Sequence, residues 1–292
     1  VDECHHAASA THFSVIRHVD PYYVYGLTGT AFRSRKVEET ALTAAFGPVL
    51  SKVDNSMMQD LGYSVPVEVD VRVLESIQTS DLMNWSTIYH DLICTSDKRN
   101  RAVLEVIREY YEDGNSILIP LNQISHCEAL AELLDETDME YRMGHAKMSD
   151  AQREEALESF KSGRVRILLG TLYNEAVDIP IISAIINAAG LKSAVQTFQR
   201  LGRGLRTGGR DKCYYIDFMD MGNHYLEQHA FKRMKNIEKA GCTLPSHIIE
   251  LFEARERDMK EKLKLTDEEK EQIQKERECI ANSLEKEEDE DV

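Results

Sequence analysis

Between residues 85 and 221, short apolar runs alternate with longer segments whose apolar residues recur every three or four positions, and few folds accommodate that rhythm. SDKRNRAVLEVIREYYEDG, with Ser and Asp at its start, predicts a helix, and SILIPL after it a strand. QISHCEALAELLDE predicts a second helix and EYRMG a short strand. SDAQREEALESFKSG opens with Ser149 and Gln152 in capping-box positions and closes with Gly163, as a helix should. The strands VRILLGT and IISAIINAA, the helix SAVQTFQRLGRGLR and the strand KCYYIDF complete the series. Short apolar strands joined by amphipathic helices need cover on both faces, so the expected fold class is α/β with a parallel sheet between helical layers.

The flanks read differently. VDECHHAAS starts with Val rather than Met and reads as the end of a strand whose domain has been cut away. YYVYGLTGTAF predicts an apolar strand running into a Gly/Thr turn, and VPVEVDVRVLES alternates valine with charge, a period-two strand expected to cross between two lobes. Beyond the alternating region, GNHYLEQHAFKRMKNIEKAG and PSHIIELFEARERDMKEKL predict helices, and the charged C-terminus predicts a helix fraying into disorder. The six cysteines form no CxxC pair, which argues against a zinc knuckle or a disulfide framework and fits a reducing compartment. No apolar run approaches the roughly 20 residues that span a bilayer, and the N-terminus lacks a signal pattern. A soluble cytoplasmic protein is expected.

A net charge of -16 excludes a general nucleic-acid coat protein, because affinity for phosphate backbones comes from Lys and Arg. The charge is unevenly spread: residues 250–292 account for about half of it, while between 161 and 235 basic residues outnumber acidic ones roughly two to one. That basic stretch contains QRLGRGLR, where Arg200, Arg203 and Arg206 recur every third residue and so lie near one side of a helix. A solvated basic face is the plainer reading, but Gly202 and Gly204 each cost a helix about 1 kcal/mol and imply close approach by another surface. The pattern points to a bound anion.

In open parallel sheets, ligands bind beyond the carboxyl ends of the strands. Asp2 and Glu3 suit a magnesium-binding carboxylate followed by one that positions water, and equally an acidic loop. His5 and His6 have no further His or Cys spaced to complete a metal site. LTGTAF puts Thr28 and Thr30 around Gly29 on a tight turn. In GTLYNEAVDIP, the Thr171 hydroxyl and nearby backbone N–H groups can hold a phosphate and Asp178 a ribose hydroxyl; a loop with a helix-capping Asp reads as well.

Taken in order, DECH, TGT, GTLYNEAVDIP and QRLGRGLR, with an α/β unit between the second and third, resemble motifs II, III, V and VI of the superfamily 2 helicases. ILIPL resembles motif IV, and YRMGHAKMSDAQREEALESFKSGRVRILLGT the stretch between motifs IV and V. VDECHHAAS with GLTGTAFR is similar to the DNA-directed branch containing UvsW-type branch-migration helicases, XPB-like proteins and restriction-enzyme translocases. The resemblance implies three regions: residues 1–75 as a remnant of a first RecA-like lobe with a linker strand, 76–222 as a second RecA-like lobe, and 223–292 as a helical acidic tail, partly disordered. It implies ATP and Mg2+ as cofactors. Asp2 would hold magnesium through water, Glu3 would orient the attacking water, and His5 with Thr28 and Thr30 would couple nucleotide state to the second lobe. Thr171 would contact the nucleic-acid backbone or relay the motion, and Asp178 would meet the ribose. Gln199 would sense the γ-phosphate, Gly202 would lie at the nucleotide, Arg203 and Arg206 would be arginine fingers, and Arg200 would face solvent or nucleic acid.

The chain departs from that pattern in two places. It contains no GxxxxGK[ST] loop, which the resemblance implies would lie ahead of Val1 in a missing N-terminal lobe. Motif V usually carries Glu-Gly where this chain has Glu175, Ala176 and Val177. The expected function is therefore that of a fragment of an ATP-dependent DNA helicase or translocase, inactive without its first lobe. The expected partner is single-stranded or branched DNA in repair or recombination. The expected setting is a monomer near the nucleoid of a bacterial or phage-infected cell. An RNA helicase, or a catalytically silent RecA-like binding module, are the alternatives.

Overall fold

A computed structural model describes residues 1–4, 7, 9–19, 22–28, 36–53, 55–75, 84–174, 179, 181–193, 197 and 211–262. The chain divides into two compact units, Val1–Leu244 and Pro245–Val292. Among the described residues of the first unit, six strands form one parallel sheet: β1 (Val67–Glu75), β2 (Ile117–Pro120), β3 (Tyr141–Gly144), β4 (Ile167–Gly170), β5 (Ala184–Asn187) and β6 (Cys213–Met221). Their spatial order is β1-β6-β5-β2-β4-β3. Helices α1 (Ala10–Val19), α2 (Lys36–Phe46) and α3 (Asn55–Asp60) precede β1; α4 (Trp85–Tyr89) and α5 (Asp97–Glu112) precede β2. α6 (Ile124–Asp135) and α7 (Asp150–Lys161) make the next two crossovers, and α8 (His224–Lys239) follows β6. The second unit contributes α9 (Ser246–Lys262). No helix among the described residues is long and apolar enough to cross a membrane.

Every residue of β2, β4 and β5 is buried, which is why these strands read as unbroken apolar runs rather than alternating ones. Ile117, Ile119, Ile167, Leu169 and Ile186 share one cluster with Val103 and Ile107 of α5 and Leu130 and Leu134 of α6. The helix starts follow their caps. Ser96 accepts from the Arg99 amide, and Ser149 and Gln152 form the reciprocal capping box before α7, with Gly163 at φ 74° just past its end.

Three segments carry features that the residue pattern alone does not specify. The alternating segment VPVEVDVRVLES forms the expected strand, and β1 pairs with β6 through nine residues, from Val67 opposite Cys213 to Glu75 opposite Met221. The cause is the length of β6, whose outer backbone needs a partner along all of it. On β1 the charges stay partly exposed because it is the sheet edge; Arg72 bonds Asp70 and Glu109, and the Tyr110 hydroxyl donates to Asp70 at 3.0 Å. At the N-terminus, no strand forms among the described residues, but the two segments are bonded: the Val1 amino group donates to the Tyr25 carbonyl at 2.7 Å, and the Leu27 amide donates to the Val1 carbonyl at 2.9 Å. Finally, a π-helical turn, His90–Cys94, follows α4, a geometry that no residue pattern in WSTIYHDLIC announces.

The sheet is tied across its carboxyl end by backbone bonds that continue past the strands. The Leu121 amide donates to the Gly170 carbonyl at 2.9 Å and the Thr171 amide to the Gly144 carbonyl at 3.0 Å. A Cβ at Gly170 would lie 2.0 Å from the Gly144 carbonyl oxygen, a backbone atom that cannot swing aside. Gly170→Ala is expected to force β3 and β4 apart and cost about 3 kcal/mol, read as a lowered urea midpoint with unchanged slope.

Candidate functional site

The loops beyond the carboxyl ends of the strands hold the chemistry a parallel sheet can present. Thr171 stands at the end of β4. Its amide is bonded to Gly144, so the expected backbone contact to a phosphate is not available from this residue, and its half-buried side chain is what it can offer. Beside it, Tyr173 is buried against Gly144, and burial pushes its phenol up to about 12. His145, just past β3, is also buried, and its Nδ1 has no hydrogen-bond partner among the described residues.

Asp2, Glu3 and Thr28 form a second group. The Cys4 amide donates to the Leu27 carbonyl at 3.0 Å, which brings the acidic pair to the chain just before Thr28. Both carboxylates are exposed; Asp2 Oδ1 accepts from the Glu3 amide at 2.8 Å, and Glu3 has φ 46°. A non-glycine residue in that region is uncommon and costs of order 1–3 kcal/mol, a cost that concentrates at functional sites. Among the described residues, no three His, Cys, Asp or Glu side chains gather to hold a metal by themselves. His5, Thr30, Asp178, Gln199, Arg200, Gly202, Arg203 and Arg206 lie outside the described residues.

The loop that leads towards those arginines is described, and four charged residues absent from the sequence-based site surround it. Arg99 of α5 and Asp220 of β6 are both buried; Arg99 Nε and Nη2 donate to the two carboxylate oxygens at 2.7 and 3.2 Å, and Nη1 to the Ala188 carbonyl at 2.9 Å. Arg233 of α8 meets Asp217 of β6 through Nε, which donates to Oδ1 at 3.0 Å and Oδ2 at 3.3 Å, while Nη1 donates to the Gly190 carbonyl and Nη2 to the Phe218 carbonyl, each at 2.6 Å. Asn187 Nδ2 holds the other Asp217 oxygen at 2.6 Å. Arg233 belongs to the basic stretch but is buried and paired, so it adds nothing to a basic surface. The signal that could have found this group is the pair of aspartates inside the apolar strand CYYIDFMDM.

Next to this loop, Trp85 stacks on buried His229 with ring centroids 4.1 Å apart. Burial, with Lys192, Arg233 and Lys232 nearby, pulls the His229 imidazole down to about 4; burial, with Arg99 nearby, also holds His126 well below the ordinary histidine value. Because these folded-state values lie below that of an unfolded histidine, the unfolded chain binds more protons, and stability falls as pH drops from about 6.5 towards 4. The thermal midpoint is expected to decline over that window, and His229→Gln to flatten the slope by at most about 1.4 kcal/mol per pH unit.

Comparison with known proteins bears on this arrangement. Residues 98–208 match the helicase conserved C-terminal domain. A protein named as helicase 22 of Sulfolobus islandicus filamentous virus (isolate Iceland/Hveragerdi) is 22% identical over 254 residues, 82% of this chain and 45% of that protein. DEAD-box ATP-dependent RNA helicase 36 of Arabidopsis thaliana is 28% identical over 173 residues, 58% of this chain and 34% of the relative. RNA helicases recur among the curated relatives. Among solved structures, a fragment assigned as the HsdR subunit of a type I restriction enzyme from Vibrio vulnificus YJ016 superposes with TM-score 0.55 at 18% identity, covering 72% of this chain and 42% of that one. The chain thus spans less than half the length of the curated relatives it matches. Residues 98–208 resemble a helicase conserved C-terminal domain, and the parallel sheet to which they contribute has a RecA-like fold.

Proposed function

We propose that this chain supplies the arginine-bearing second lobe, together with the Asp2 and Glu3 carboxylates, of an ATP-dependent motor that moves along nucleic acid. The observation that carries the reading is the helicase C-terminal match on a parallel sheet whose β5 runs into the segment holding Gln199, Arg203 and Arg206. Asp2 and Glu3 fit the magnesium that accompanies a nucleotide: they are adjacent exposed oxygen donors, hard ligands for an ion that keeps most of its water. In this reading Asp2 holds magnesium, which neutralises phosphate charge, and Glu3 orients the attacking water. Thr28 and Thr30, with His5, link that site to the second lobe, and Asp178 meets the ribose. Gln199 and Gly202 face the phosphates, while Arg203 and Arg206 stabilise the charge developing on the γ-phosphoryl group. Arg200 and Thr171 serve the nucleic-acid strand.

DNA is the first substrate reading, supported by the DECH and TGT motifs and by the likeness in fold to a restriction-enzyme fragment. RNA is the second, favoured by the RNA helicases among the relatives. ATP hydrolysis should be measured for this chain and for a version extended upstream by a lobe with a phosphate loop, each with single-stranded DNA and with single-stranded RNA. Hydrolysis by the extended protein alone, stimulated more by DNA, is the expected result. Stimulation by RNA alone replaces the first substrate reading with the second. An extended protein indifferent to both polymers sinks the motor reading.

A further inference from the structure

We infer that the two buried clamps, Arg99 with Asp220 and Arg233 with Asp217, are positioning residues: they hold the loop after β5 at one place on the sheet and thereby set where the following arginine segment begins. For the role of that segment this rests on the functional reading above; the holding itself stands on the contacts alone.

Both carboxylates come from β6, and the guanidiniums arrive from different helices, α5 and α8. Arg99 sets Nε and Nη2 on the two oxygens of Asp220, Arg233 sets Nε on Asp217, and each turns a further donor to the same three-residue loop, to Ala188 in one case and Gly190 in the other. Each clamp therefore fastens three chain segments that are distant in sequence. A buried ion pair is a poor way to stabilise a core, since well-packed apolar residues do as well or better. What apolar residues cannot do is donate to two carbonyls of an irregular loop at defined points, which guanidinium N–H groups do.

The apolar surroundings act the same way. Leu191 packs on the cluster of Ile88, Tyr89, Leu92 and Ile93, contributed by α4 and the π-helical turn. Thr197 is buried, and both its amide and its hydroxyl donate to the Ser193 carbonyl, at 3.1 and 2.9 Å, which ties Thr197 to the end of the held loop. Gln199 follows Thr197 by two positions and Arg203 by six. Because so few positions separate Thr197 from Gln199 and Arg203, a displaced loop displaces the start of their segment, and a misplacement of about 1 Å at a reacting centre can cost about 10²-fold in rate.

The test compares three variants with the unsubstituted chain: Arg99→Lys, which keeps the charge but not the fork; Asp220→Asn; and the double replacement Arg99→Met with Asp220→Leu, which leaves no unpaired charge. Amide hydrogen exchange is followed by mass spectrometry in peptides covering 188–206 and in peptides covering β2 and β4. Exchange at least about tenfold faster in 188–206, with β2 and β4 unchanged, is the result expected. Unchanged exchange in 188–206, or a rise of all peptides together, overturns the inference by giving the pair no local role or a merely structural one. If the double variant does not fold, the two single variants decide. In the extended two-lobe protein, Arg99→Lys is expected to lower kcat for ATP hydrolysis about 10²-fold while KM for ATP stays within about threefold. Faster local exchange with unchanged kcat overturns the positioning role. Absence of hydrolysis in the unsubstituted two-lobe protein instead refutes the functional reading, and the exchange comparison still decides whether the clamps hold the loop.

Discussion

Arg203→Ala is expected to lower nucleic-acid-stimulated ATP hydrolysis by at least about 10³-fold in a protein carrying both lobes, because an arginine finger is worth about 10³ to 10⁵ in rate. The effect should fall on kcat. A guanidinium that meets charge developing on the γ-phosphoryl group contributes chiefly in the transition state, so its loss leaves nucleotide affinity far less changed than turnover. Arg206→Ala should behave alike, since both side chains are read as meeting the same group. Arg200→Ala, read as a surface or nucleic-acid contact, should instead weaken binding of the polymer and make it less salt-dependent, with hydrolysis at saturating polymer nearly intact. Equal and small losses at all three positions would return QRLGRGLR to the plainer reading of a solvated basic face. Steady-state kinetics of the three variants, with and without polymer, separates these cases.

Asp217→Ala is expected to destabilise the first unit by about 3–5 kcal/mol, since it removes the carboxylate from a buried pair and leaves the Arg233 guanidinium charged and uncompensated. Asp217 is fully buried and accepts from Arg233, Asn187 and the Phe218 amide. For a unit of this size the thermal midpoint should fall by roughly 10 °C. Replacing both partners, Asp217→Leu with Arg233→Met, should recover most of that loss. Stability recovered together with fast exchange in the loop would separate holding the loop from holding the fold. A double variant no more stable than Asp217→Ala would mean that the carbonyl bonds of Arg233 to Gly190 and Phe218 matter to folding itself. Chemical denaturation of the single and double variants measures the difference.

Much of the sheet was legible because its determinants are local. ILIP, ILLG and AIIN are buried on both faces, so burial and composition coincide, and the capping box at Ser149 and Gln152 needs only residues three apart. The site was less so. The motifs name Asp2, Glu3, Thr28 and Thr171 by type and order, but not that the Thr171 amide is already bonded to Gly144, which depends on β3 lying beside β4. The strand in VPVEVDVRVLES was legible from its alternation, but its place at the sheet edge was not: only the full-length pairing with β6 gives that.

By itself, then, the order of apolar runs, helix caps and glycines determined a parallel α/β sheet and the loops at which its chemistry belongs, since each of those signals acts within a few residues. Tertiary structure decided which charges are interior. Arg99 and Asp220 are separated by 121 positions, and Arg233 reaches back 43 residues to Gly190. Neither the arginines of SDKRNR nor the aspartates of CYYIDFMDM carry a mark of their partners. The pairing exists only because the order β1-β6-β5-β2-β4-β3 places β6 beside β5 and brings α5 and α8 to the end of both, where burial makes an unpaired charge too costly to leave.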